Sequence, residues 1–155
     1  MCDAQRTLKP PRATNCMYLW QETPRPLADT LQGVRILALL PPMLLAAIIW
    51  KLSDTPGLTI AHGALDTLLR KLAHVFAFGL LASVCLVAVR AQGVRLNAAL
   101  VAAAAITLVY AIVDEYHQSF VPTRHGAITD VAIDALGIGI ASIVLLKVWS
   151  RRGVA

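Results

Sequence analysis

Four long apolar runs dominate the pattern of hydrophobic and polar positions along the chain. They cover residues 36–50, 72–89, 98–113 and 131–148, and short polar segments separate them. A helix that crosses a bilayer needs about 20 mostly apolar residues to span about 30 Å of hydrocarbon. Each run reaches that length once its apolar neighbours are included. The pattern therefore predicts an all-α fold, a polytopic membrane bundle of four transmembrane helices.

Local signals set the expected limits of these helices. The first is expected over residues 34–52, with a kink at the prolines of positions 41–42. The second is expected to begin near Leu58, ahead of its apolar run, because apolar residues recur there at helical spacing. The third is expected to end near Tyr116, and the fourth to begin near Thr129 as its N-cap.

The composition favours a membrane protein over a soluble helical bundle. Hydrophobic residues make up 57% of the chain and charged residues 15%, with a mean hydropathy of +0.66. Soluble domains have roughly 45–50% apolar and about 25% charged residues. The chain predicts one membrane domain over residues 34–150. Residues 1–33 mix charges with prolines and predict a poorly ordered cytoplasmic tail, and residues 151–155 form a short cytoplasmic end.

The basic residues are distributed unevenly between the two sides of the predicted bundle. The chain carries a net charge of +5, and ten of its fourteen basic residues fall in the tail, in the second connection and at the C-terminus. The predicted side that contains these ten residues has a net charge of +7, and the opposite side has a net charge of −2. Cytoplasmic segments of membrane proteins are enriched in Lys and Arg. Both termini are therefore expected in the cytoplasm, and the basic excess is a topology signal that does not indicate nucleic-acid binding.

Polar residues that interrupt the apolar runs cluster at the predicted outer side. An ionised side chain costs at least about 2.5–3.5 kcal/mol at the centre of a membrane helix, so these groups are expected to have partners or a function. Asp134 lies about one turn below the interface, and its expected partners are Lys71, His74 or Arg124. The predicted site consists of Lys71, His74, Asp114, Glu115, Gln118, Arg124, Asp130 and Asp134.

The same residues carry a resemblance to a known family, the VanZ-like membrane proteins. The motifs are Leu-Ser at 52–53, Arg-Lys-x-x-His at 70–74, Asp-Glu-x-x-Gln-x-Phe-x-Pro-x-Arg at 114–124 and Asp-x-x-x-Asp-x-x-Gly at 130–137. The chain departs from the family pattern at Arg70, where Asp is usual, and at Asp134, where Asn is frequent. The resemblance covers roughly residues 35–148. It implies a multi-pass protein of the bacterial inner membrane and a role in the cell envelope, since the namesake is associated with low-level resistance to the glycopeptide teicoplanin.

Three functions are compatible with the outer cluster. The first is binding of a lipid headgroup, a lipid-linked cell-wall precursor or a glycopeptide by Lys71, His74, Glu115, Gln118, Arg124, Asp130 and Asp134. The second is a membrane enzyme that uses His74 with Glu115 or Asp114 as acid and base, with or without a metal ion, on a lipid-linked substrate. The third is a purely structural, charge-paired bundle. His74, Asp114, Glu115 and Asp130 have side chains that metal ions accept, but their spacing matches no recognised signature, so no metal site is predicted. The sequence identifies no cofactor.

Overall fold

The computed structural model describes residues 32–56, 63–122, 124 and 126–151, and the described part is helical with no strand. Residues 1–34 group as one unit and residues Arg35–Ala155 as a second. The described residues of the second unit include four long helices: α1 (Leu40–Ser53), α2 (Ala64–Ala91), α3 (Leu96–Gln118) and α4 (Ile128–Arg151). The predicted tail lies outside the described residues except for 32–33, and so does most of the predicted cytoplasmic end.

The helices have the length and surface of membrane spans. The four candidate spans are Gln32–Ser53, Ala64–Ala91, Leu96–Gln118 and Ile128–Arg151. At about 1.5 Å per residue the last two are about 35 Å long, enough to cross the hydrocarbon of a bilayer. Large apolar side chains point outward on every helix, among them Met43, Phe76, Val101 and Ile143. Such a surface suits lipid, and the protein is a multi-pass membrane protein.

The prolines of the first span lie at a helix start, where the sequence predicted a kink. Residues 32–37 are helical, positions 38–39 form a turn, and α1 begins at Leu40 with Pro41 and Pro42 in its first turn. Proline is tolerated there because the first N–H groups of a helix have no intrahelical acceptor. The expected kink is therefore a break just before the two prolines.

Two further helix limits differ slightly from expectation. Helix α3 ends at Gln118, two residues beyond the predicted end, and α4 begins at Ile128, so Thr129 lies inside the helix and is not its N-cap. The described part of α2 begins at Ala64, and the predicted start at Leu58 lies outside the described residues.

Helix α2 is the centre of the bundle and packs against the other three helices. Its buried residues Phe78, Leu81 and Leu86 form a core with Ala99 and Ala103 of α3. Alanine on the facing helix allows a close approach of α3, since it has only a methyl group. Helix α1 contributes little to this core, because Ile49 and Ser53 are its buried residues. Polar bonds, described next, hold α1 to the bundle.

Candidate functional site

The residues predicted for the site come together where α1 and α3 end and α2 and α4 begin, which we call the polar end. Helix α2 contributes Lys71 and His74, α3 contributes Asp114, Glu115 and Gln118, the α3–α4 connection contributes Arg124, and α4 contributes Asp130 and Asp134. They do not all have the same environment. Some are bonded into the bundle, and others line a cavity.

A histidine–carboxylate cluster lies at the centre of the polar end. His74 Nδ1 is 3.0 Å from Asp134 Oδ1 and 3.8 Å from Glu115 Oε1. The first contact is a hydrogen bond, so His74 is the partner of Asp134 among the three that the sequence offered. Glu115 Oε2 accepts a hydrogen bond of 3.1 Å from the backbone N–H of Ala127. The side chain of Asp134 is fully buried, and that of Glu115 is 5% exposed.

A second buried carboxylate joins α1 to α3. Asp114 Oδ2 accepts hydrogen bonds of 2.8 Å from both Ser53 Oγ and Gln118 Nε2. Gln118 Nε2 also lies 3.2 Å from Ser53 Oγ, which it can use as an acceptor. Asp114 is fully buried, and a buried carboxylate is stable only when donors replace its lost water. This group of three is therefore a structural element of the polar end.

Arg124 fastens the connection between α3 and α4 to the end of α1. Its guanidinium donates to the carbonyl oxygens of Leu52 at 2.8 Å and Thr55 at 3.3 Å, and to Gln118 Oε1 at 3.3 Å. Burial lowers the pKa of Arg124, and the positive charge of Arg70 lowers it further, while Asp114 and Glu115 raise it. An arginine remains charged through such a shift. Arg124 thus caps the last carbonyls of α1 and keeps a positive charge at the polar end.

Lys71 and Arg70 are the more accessible cations. Lys71 Nζ is 4.0 Å from Asp130 Oδ1, and the lysine side chain is 48% exposed. Arg70 pairs with Asp66 one turn earlier on α2, at 2.5 Å. A long, half-exposed pair such as Lys71–Asp130 contributes little to stability. Its lysine is therefore available to a ligand.

Two glycines bring the site residues within reach of one another. A Cβ on Gly137 of α4 would overlap the backbone carbonyl of Val75, the residue after His74. A Cβ on Gly126 would overlap the carbonyl of Glu115. Only glycine permits these approaches, as in other closely packed membrane helices. A Cβ on Gly139, two residues further along α4, would meet no atom within 4 Å.

Two adjoining cavities open at the polar end. The polar cavity has a volume of about 220 Å³ and is lined by Thr67, Arg70, Lys71, His74, Gln118, Arg124, Asp130 and Ile133. The apolar cavity, of about 160 Å³, lies between α1 and α2 and is lined by Ile49, Leu52, Ser53, Arg70, Ala73, His74, Ala77, Phe78 and Arg124. Arg70, His74 and Arg124 line both. A cationic cavity thus adjoins an apolar one.

The second histidine–carboxylate pair of the polar end lines neither cavity. His117 Nε2 is 3.2 Å from Asp54 Oδ1, and its ring stacks on Trp50 with centroids 4.1 Å apart. A second aromatic residue of the bundle, Tyr110, also has a specific contact with α1. The Tyr110 hydroxyl donates to the carbonyl of Ala46 at 2.7 Å and so fastens α3 to α1.

Sequence analysis missed three residues that matter at the site. Ser53 was noted as part of a motif but not as a donor to Asp114, and Thr67 was not noted although it lines the polar cavity. Arg70 was noted as a family departure, yet it borders both cavities. Arg70 is four residues from both Asp66 and His74, so all three lie on one face of α2. This spacing is the sequence signal that could have placed Arg70 at the site.

Comparison with known proteins gives one result. No protein of curated function and no solved structure matches the sequence significantly. A family model described as VanZ/LLP1 matches residues 16–150. The match includes every residue of the site and all four helices except Arg151, the last residue of α4. The chain therefore belongs to the VanZ/LLP1 family.

Proposed function

We propose that this membrane protein binds a phosphorylated amphiphile at its polar end, either a phospholipid or a lipid-linked cell-wall precursor. The headgroup occupies the polar cavity, and the start of a hydrocarbon chain occupies the apolar cavity. The observation that carries the proposal is the pair of adjoining cavities that share Arg70, His74 and Arg124. An amphiphile has the same division between a charged and an apolar part.

The charges of the polar cavity favour an anionic headgroup. Three cations line it, Arg70, Lys71 and Arg124, against the single carboxylate of Asp130. Arginine and lysine are the side chains that proteins use for phosphate. Arg124 already donates to three acceptors of the protein, so Lys71 is the cation best able to turn toward a ligand. Asp130 and Gln118 supply acceptors for hydroxyl or amine groups of the headgroup.

The apolar cavity gives the ligand a route from the membrane. It lies between α1 and α2, and Leu52 and Ala73 at its edge are exposed on the surface that lipid contacts. Helix α1 is held mainly by polar bonds at its end, and a hydrocarbon chain can lie beside it without loss of buried core. A ligand can therefore enter sideways and need not leave the bilayer.

A purely structural cluster explains only part of the polar end. Asp114, Ser53, Gln118 and Arg124 are bonded to one another and to the end of α1, as a structural cluster requires. Lys71 and His74 line the polar cavity of about 220 Å³ beside Gln118 and Arg124, but their contacts among the described residues are with Asp130, Asp134 and Glu115 and not with the end of α1. We infer that the first group of residues holds the helices of the site in place, and that Lys71 and His74 contact the ligand. With the termini in the cytoplasm of a bacterium, the polar end faces the outer leaflet of the inner membrane.

Lipid binding by two lysine variants tests the proposal. Lys71→Gln removes the accessible cation of the polar cavity. Lys51→Gln is the matched control, since Lys51 also lies 4.0 Å from an aspartate, Asp54, but lines neither cavity. Native mass spectrometry of the purified protein would use phosphatidylglycerol and a polyprenyl phosphate as probes, with diacylglycerol as the phosphate-free comparison.

We expect Lys71→Gln to weaken binding of at least one phosphorylated probe about tenfold or more, because a hydrogen bond to a charged group contributes about 1.5–3 kcal/mol. Lys51→Gln should bind as the wild type does. The phosphatidylglycerol and polyprenyl phosphate arms distinguish a membrane phospholipid from a precursor carrier. Equal binding of diacylglycerol, or equal loss in both lysine variants, contradicts the proposal.

A further inference from the structure

We propose that His74, Glu115 and Asp134 form a binding site for a divalent transition-metal ion, with zinc as the best fit. The donor atoms of these three residues, one from each, all lie within 4.8 Å of one another. They come from three different helices, α2, α3 and α4, so the spacing along the chain could not show them as a set. This site goes beyond the proposed lipid binding and does not depend on it.

The distances suit tetrahedral zinc. Zinc binds imidazole nitrogen and carboxylate oxygen at about 2.0–2.2 Å, which places two ligand atoms of a tetrahedral site about 3.3–3.5 Å apart. His74 Nδ1 is 3.0 Å from Asp134 Oδ1 and 3.8 Å from Glu115 Oε1. The observed separations lie on either side of the ideal value. The Glu115 and Asp134 oxygens lie within 4.8 Å of each other, so side-chain movements within the cluster would complete the geometry.

Two ligand residues have a buried oxygen without a donor. Glu115 Oε1 and Asp134 Oδ2 accept no hydrogen bond from any residue that the structure describes, and both side chains are at least nine-tenths buried. A buried carboxylate oxygen left unbonded is costly. Both carboxylates lie around the same His74 nitrogen. An ion bound there would contact Glu115 Oε1 directly and would place positive charge next to the carboxylate of Asp134.

The nearby cations do not balance this negative charge. Within the described residues Lys71 pairs with Asp130, Arg70 pairs with Asp66, and Arg124 donates to Leu52, Thr55 and Gln118. Asp114, next to Glu115 in the chain, adds a third buried carboxylate. One imidazole therefore contacts two buried acids, Glu115 and Asp134, with a third buried acid next to Glu115 in the chain. A divalent cation would compensate this excess where a single proton on His74 would not.

The position of the site gives the ion access to a ligand. His74 lines the polar cavity, whereas Glu115 and Asp134 lie behind it. Three protein ligands leave a fourth zinc position, the arrangement of zinc sites that bind water or substrate. In this protein that position would be available from the cavity that holds Lys71 and Arg70. A bound ion would add positive charge at the cavity wall, in keeping with an anionic occupant.

Zinc titration of the full-length protein tests the inference. Protein stripped of metal with a chelator in detergent would be titrated with zinc against a chromophoric competitor. We expect one zinc per chain in the wild type and at least about 100-fold weaker binding in Glu115→Gln and in Asp134→Asn, since even outer partners of zinc ligands alter affinity by about 10–100-fold. His117→Gln is the matched control, because it removes an imidazole that also faces a carboxylate, 3.2 Å from Asp54, and should bind zinc as the wild type does.

X-ray absorption of the zinc-loaded wild type keeps the test independent of how the variants fold. The expected spectrum has one imidazole nitrogen with the remaining ligands oxygen. A spectrum with sulfur or with two imidazoles places the ion elsewhere and overturns the site. Absence of stoichiometric binding in the wild type overturns it too, as does loss of binding in His117→Gln. Lipid binding measured separately on the metal-free protein shows whether the proposed function holds when the metal site fails.

Discussion

A single methyl group at Gly137 should disrupt the site. The Cβ of Gly137→Ala would overlap the backbone carbonyl of Val75 on α2, and the Cβ position of Gly79 is already 3.0 Å from the carbonyl oxygen of Gly137. The obstacle is backbone, which cannot turn aside as a flexible side chain does. Helices α2 and α4 must separate by about 1 Å before ordinary contact distances return. The change would also separate His74 from Asp134.

The size of the effect follows from a matched pair of variants. Gly139→Ala lies two residues away on the same helix, where the new Cβ meets nothing within 4 Å. Both variants gain the same helix propensity, roughly 0.5–1 kcal/mol relative to glycine. Overpacking costs about 1–3 kcal/mol. The free energy of unfolding of Gly137→Ala should therefore fall below that of Gly139→Ala by about 1–3 kcal/mol.

Steric trapping in bicelles measures that difference in a bilayer-like solvent. Gly139→Ala is expected to be as stable as the wild type or slightly more stable. Gly137→Ala should be less stable, and any ligand binding that needs His74 and Asp134 together should weaken with it. Equal stability of the two alanine variants would refute the close approach of α2 and α4 on which the site depends.

Two other predictions concern the end of α1 and the orientation of the chain. Ser53→Ala leaves Asp114 with one donor fewer and should lower the free energy of unfolding by about 1–3 kcal/mol, whereas Ser142→Ala, which only removes a bond to the preceding turn of α4, should change it little. A cysteine at the exposed Ser119 should react with a membrane-impermeant thiol reagent on intact cells, and the native Cys2 should react only after permeabilisation. The reverse labelling pattern would contradict the predicted orientation. Equal stability of Ser53→Ala and Ser142→Ala would show that Asp114 does not help to hold α1 to α3.

The spans were predictable from sequence because lipid exposure leaves a simple signal. Each helix must be apolar around most of its surface, and no soluble domain of this size has four such runs. The sequence also limited the expected partners of Asp134 to Lys71, His74 or Arg124, since a charge within a span needs a partner, and the structure shows that the partner is His74. Connections short enough to join adjacent helices left few candidates for that partner.

The finer contacts could not be predicted, because apolar patterning does not fix how a membrane helix is rotated. Lipid tails are as apolar as the bundle core, so no hydrophobic stripe shows which side faces inward. Hence no pattern in the chain indicated that Ser53 would reach Asp114 or that Arg124 would bind the carbonyl of Leu52 near the end of α1. The proposed metal ligands His74, Glu115 and Asp134 also differ from the acceptable ligands that the sequence suggested, which were His74, Asp114, Glu115 and Asp130.

Photo-crosslinking with two phospholipid probes tests the central claim most directly. One probe carries a diazirine in the headgroup, and the other carries it near the start of an acyl chain. We predict that the headgroup probe labels Thr67 and Ile133 of the polar cavity, and that the chain probe labels Leu52 and Ala77 of the apolar cavity. If both probes label these cavity residues no more strongly than the lipid-facing residue Val101, the result contradicts an amphiphile site at the polar end.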